Sequence, residues 1–68
     1  MIIHVNGESR GIGDGETVAA LLHELEIRAD RVAVELNLGI LDRKDFETRG
    51  LREGDRVEIL SFIGGGAR

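Results

Sequence analysis

The sequence predicts an α+β fold, a mixed sheet of four to five strands covered on one face by one main helix. Three observations carry that expectation. A single stretch has helical period, with Val18, Leu21, Leu22 and Leu25 at i, i+3, i+4 and i+7. Short β-branched or alternating stretches lie around residues 2–5, 32–36 and 56–63. Turn residues separate them at Asn6-Gly7, Gly13-Asp14-Gly15 and Glu53-Gly54-Asp55. One apolar helix stripe and several half-buried strands each need a partner for their apolar side, and a helix laid across one sheet provides it for all of them.

The elements follow in order. Ile2-Ile3-His4-Val5 is a short strand, and Asn6-Gly7 behind it supplies the two positive-φ positions of a type I′ hairpin turn. The return strand, around residues 8–12, is polar apart from Ile12 and short. Thr17 stands where an N-cap belongs, its hydroxyl free to accept from an orphan N–H of the first helical turn. The helix that follows turns its stripe to the sheet and places Glu24 and Glu26 away from it. Val32, Val34 and Leu36 alternate with Ala33, Glu35 and Asn37, the period of a half-buried third strand. Asn37-Leu38-Gly39 turns into the apolar pair Ile40-Leu41. Residues 42–49 form a charged connection tied down by Phe46, and residues 56–63 make the longest strand, with Val57 and Ile59 on its inner face. This is a β-grasp layout.

At 68 residues the chain is one domain, and a domain of that size buries only about 60% of the surface that its unfolded form exposes. It has no room for a deep cleft. With no cysteine, neither a disulfide framework nor a thiolate zinc site supports the core. The net charge of −4, with acidic and basic residues interleaved, leaves no basic stripe to neutralise phosphates, so no nucleic-acid partner is expected. Met1-Ile2-Ile3 meets His4 and Asn6 too soon for a signal peptide or a membrane span, and the expected compartment is the cytoplasm.

Other groups of residues point to ordinary structural roles. His4 and His23 are two lone imidazoles with no third ligand at diagnostic spacing, so no metal site is expected. Gly11-Ile12-Gly13-Asp14-Gly15 lacks both the G-x-G-x-x-G pattern and the Lys-Ser/Thr of a phosphate loop, and reads as a turn. Asp42, Asp45 and Glu47 alternate with Arg43, Lys44 and Arg49, the pattern of a solvated, self-neutralising loop. No nucleophile–base pair can be assembled, and the chain is expected not to be an enzyme.

The C-terminal strand and the glycines after it are different. If Val57 and Ile59 face the helix, alternation turns Leu60 and Phe62 to the other face, where apolar side chains suggest docking. A bulge that turns Leu60 inward is the plainer alternative. Gly64-Gly65-Gly66 is the one low-complexity piece, expected as a flexible tail over residues 64–68 behind a domain of residues 1–63. Glycine lacks Cβ, so such an end can lie extended where bulkier residues would not fit.

Taken together, Asn6-Gly7, Gly15-Glu16-Thr17-Val18, the stretch 34–41, Gly54-Asp55-Arg56-Val57 and Phe62-Ile63-Gly64-Gly65-Gly66 resemble the ubiquitin-like ThiS sulfur carriers of thiamin biosynthesis, nearly end to end. The resemblance implies that Gly66, preceded by Gly65, bears the reactive carboxylate. A separate ThiF-like adenylating enzyme would hold ATP and Mg²⁺ and form an acyl adenylate there, and this chain would bind no cofactor of its own. A sulfur donor system would convert the adenylate to a thiocarboxylate, for delivery to a ThiG-like thiazole synthase. Leu60, Phe62, Ile63 and Gly64 would dock the partners. The family pattern ends at the di-glycine, whereas this sequence continues with Ala67-Arg68, so a peptidase would have to remove those two residues. Two further readings stay open: a carrier whose sulfur goes to molybdopterin or cysteine, and a non-covalent ubiquitin-like interaction module.

Overall fold

The computed structural model describes residues 1–61, which form a five-stranded mixed sheet with one α-helix across it. β1 (Ile2–Val5) and β2 (Glu8–Gly11) pair antiparallel. The turn between them holds Asn6 at φ 51° and Gly7 at φ 87°, the paired positive φ of a type I′ turn. β3 (Val32–Leu36) and β4 (Gly39–Leu41) form a second antiparallel hairpin. β5 (Arg56–Ser61) lies between the hairpins, parallel to β1 and antiparallel to β3, giving the order β2-β1-β5-β3-β4. The expected β-grasp arrangement is what forms. The last strand is described to Ser61, and residues 62–68 lie outside the described part.

The helix α1 (Val18–Glu24) begins where the sequence places it. Thr17 Oγ1 accepts from the Ala20 N–H at 3.1 Å, while the Val18 and Ala19 N–H groups donate to Arg49 O and Phe46 O. The first three orphan donors of the helix are thereby satisfied, two of them by a distant segment. At its other end Glu26 adopts φ 60°, with Glu26 N–H bonded to His23 O and Ile27 N–H to Leu22 O. Those two bonds make a Schellman cap, here with glutamate where glycine is usual.

Val18, Leu21 and Leu22 are fully buried against Ile3, Val34 and Val57 of the three central strands. The charged connection contains a 3₁₀ turn (Arg43–Asp45) and is tied down as expected by Phe46, with Leu51 beside it in the same core. A second 3₁₀ turn (Ala29–Arg31), which the sequence did not reveal, leads into β3.

Candidate functional site

β5 carries the chain toward the glycines from the centre of the sheet, and both of its neighbours hold it. On one side β3 keeps unbroken register from Leu36↔Val57 to Val32↔Ser61. On the other, β1 is spent at Val5↔Val57, and Asn6 takes over. The Asn6 N–H donates to Val57 O at 2.8 Å, and its side-chain Oδ1 accepts from the Ile59 N–H at 2.7 Å. The amide thus mimics one more strand residue. Asn37 does the same at the start of the strand: its Oδ1 accepts from the Arg56 N–H at 2.9 Å, and its Nδ2 donates to Asp55 Oδ1 at 3.0 Å. Asp55 is buried, and its other oxygen accepts from the Arg52 N–H, closing the turn at Gly54 (φ 83°). Sequence reasoning treated both asparagines as turn formers and missed these clamps. The available signal was that each turn opens with asparagine, which tolerates the left-handed region and brings an amide with it.

The alternation expected for β5 is present. Val57 is fully buried, Ile59 packs on the core, and Leu60 is 47% exposed on the sheet face opposite the helix. The continuous register leaves no bulge to turn Leu60 inward. Leu60 is opposite Ala33, and Ile40, 71% exposed, is opposite Glu35, which is itself opposite Glu58. Leu38, almost wholly exposed, occupies the β3–β4 turn at φ 75°. Ile40 and the two glutamates are features of this face that the sequence reading did not single out. Of the other residues expected to act, Phe62, Ile63, Gly64, Gly65 and Gly66 lie outside the described residues.

The groups given ordinary roles fall where such roles are played. His4 is half-buried on the open sheet face and His23 is exposed on α1. Lys44 pairs with Asp42 and Asp45, while Glu47 is exposed. In the segment 11–15, Ile12 packs into the core and Gly15 turns at φ 79°. Among the described residues no three His, Asp or Glu side chains gather as metal ligands, and no helix is long and apolar enough to cross a membrane.

The chain matches the model of the ThiS family over residues 3–66. It is similar to the sulfur carrier protein ThiS of Thermus thermophilus, 34% identical over 65 residues that cover 96% of this chain and 100% of that protein. It is also similar to the thiazole synthase of Paramagnetospirillum magneticum, 42% identical over 67 residues, which cover 98% of this chain and 21% of the synthase. The chain thus spans about a fifth of the length of the first curated relatives that it matches. The crystal structure of the thiamine biosynthesis protein ThiS from Geobacter metallireducens superposes with a TM-score of 0.84 at 38% identity, over 97% of this chain and 100% of that one. The five-stranded sheet, its single helix and a family match running almost from end to end agree: the chain belongs to the ThiS family.

Proposed function

We propose that this chain is a sulfur carrier of thiamin biosynthesis, with Gly66 as the residue that bears the sulfur. The observation that carries this reading is the family match, which extends through both Gly65 and Gly66. A carboxylate resists substitution until one oxygen becomes a good leaving group. On a ThiF-like enzyme that holds ATP and Mg²⁺, a Gly66 carboxylate oxygen attacks the α-phosphorus and pyrophosphate departs. Hydrosulfide from the donor system then adds to the acyl carbon, AMP leaves, and loss of the S–H proton gives the thiocarboxylate. The sulfur passes to a thiazole synthase. The chain is the substrate in this sequence of reactions and catalyses none of it.

In this sequence Gly66 is in peptide linkage to Ala67. Hydrolysis of that bond must precede activation, and a peptidase acting on Ala67-Arg68 is the partner that this step requires. The names of the relatives favour thiazole formation over molybdopterin or cysteine as the destination, since one is a thiazole synthase and another a thiamine biosynthesis protein.

The test is intact-mass analysis of the chain after incubation, trimmed to Gly66, with the adenylating enzyme, ATP, Mg²⁺ and a sulfur donor. The expected product carries one sulfur in place of one oxygen, and Gly66→Phe abolishes it while leaving the circular dichroism spectrum unchanged. An unmodified mass for the trimmed chain, or undiminished turnover of Gly66→Phe, overturns the reading.

A further inference from the structure

The open face of the sheet carries a combination that the fold itself does not need. Ile40, Glu35 and Glu58 lie side by side across β4, β3 and β5, and Ala33 and Leu60 form the next outward-facing rung toward Ser61. Like charges directly opposite one another on neighbouring strands are destabilising. Among the described residues no Lys, Arg or His nitrogen lies within 4.0 Å of either glutamate. Glu58 lines a small pocket with His4 and Arg56 on its β1 side, whereas Glu35 lies between Glu58 and Ile40, so two exposed aliphatic side chains border a pair of carboxylates that no ion pair ties down.

We propose that this face is the docking surface for a thiazole synthase that presents an apolar side chain to Ala33, Ile40 and Leu60 and an arginine or lysine to Glu35 and Glu58. This rests on the sulfur-carrier reading. Charge argues for such an occupant, because a cation seated beside Glu35 and Glu58, on the side away from Arg56, meets two carboxylates at once. A second copy of the chain fits poorly, since twofold pairing through this face gathers four carboxylates.

The relatives argue for the synthase in particular. In the thiazole synthase of P. magneticum, a stretch similar to 98% of this chain shares one polypeptide with the remaining four-fifths of that protein. Linked domains meet at effective concentrations on the order of millimolar, so a small mixed surface is enough to hold them in register. Position argues likewise: Gly66 is six residues beyond Leu60, a reach of at most about 20 Å at full extension. A partner seated on this face lies within range of the reactive end.

The experiment is binding of the full chain to a thiazole synthase from the same cells, prepared as a separate protein and measured by calorimetry at low and high salt. Adenylation of the trimmed chain is followed in parallel. Glu35→Lys is expected to raise Tm, by pairing with Glu58, and yet to weaken binding at least tenfold and flatten its salt dependence. Ile40→Ser with Leu60→Ser is expected to weaken binding at both salt concentrations. A stability role alone would not separate Tm from affinity in this way. If the wild-type chain is adenylated but either variant binds the synthase as tightly as wild type, or wild type does not bind it, the docking proposal falls and the carrier reading stands. If the wild-type chain is not adenylated, the carrier reading falls and this proposal with it. A chain that sediments as a dimer, and as a monomer after Ile40→Ser with Leu60→Ser, assigns the face to a second copy and overturns the proposal.

Discussion

Asn6 and Asn37 each do two jobs, holding a left-handed backbone at φ 51° and 52° and offering an amide to β5. Asn6→Gly keeps the first and removes the second. One hydrogen bond to a strand amide contributes about 0.5–1.5 kcal/mol net, so Asn6→Gly should lower stability by roughly that amount. Amide exchange at Ile59 should speed up, with Val34 unaffected. An unchanged Ile59 exchange rate would show that β5 needs no clamp there. The first turn was legible because Asn-Gly suits two consecutive left-handed residues. The conformation of the second was not, because leucine at φ 75° costs roughly 1–2 kcal/mol and nothing local announces it. That turn is fixed from outside, by the register of Val34 and Leu36 against Leu41 and Gly39 and by the Asn37 bonds to β5.

At the scale of elements, α1 is held at both ends by identifiable bonds. Thr17→Ala removes the cap to Ala20 N–H and should cost about 1 kcal/mol. Glu26→Gly relieves the left-handed strain and should stabilise by up to about 1 kcal/mol, with denaturant midpoints as the measurement for both. If Glu26→Gly destabilises, the glutamate side chain contributes something that the backbone does not reveal. The helix and β3 were legible because their periods of 3.6 and 2 are set by which side chains must be buried, as Val18, Leu21, Leu22, Val32, Val34 and Leu36 show. The segment 46–51 was only partly legible. Phe46 marked its anchoring, but its bonds to Glu16, Val18 and Ala19 join residues some thirty apart, and no local pattern encodes a contact of that range.

Across the whole molecule, burial separates residues that maintain the fold from those available to partners. Leu22→Ala, in the core between helix and sheet, should cost about 2–5 kcal/mol. For a 68-residue chain, at roughly 0.05–0.15 kcal/mol per residue, that is a large share of the total, and thermal melts should show it plainly. Leu60→Glu, on the exposed face, should shift Tm little while weakening the docking proposed for that face. Global unfolding of Leu60→Glu would place that side chain in the core after all. Among the described residues, Leu60 could be placed on this face from the sequence because alternation along β5 sends it outward once Val57 is inward. The rest of the face could not, since Ile40, Glu35 and Glu58 become neighbours only through strand order, which joins three separate stretches of chain.

The parallel pairing of β1 with β5 also decides how the domain answers a pull on its two ends. Tension applied between Met1 and the chain beyond Ser61 draws the two strands past each other lengthwise. The His4↔Arg56 and Val5↔Val57 contacts and the Asn6 bonds are then loaded in shear, all at once. Hairpins opened from their free ends give way one bond at a time. Pulled by its two ends, the domain is thus braced along the line of the β1–β5 pair.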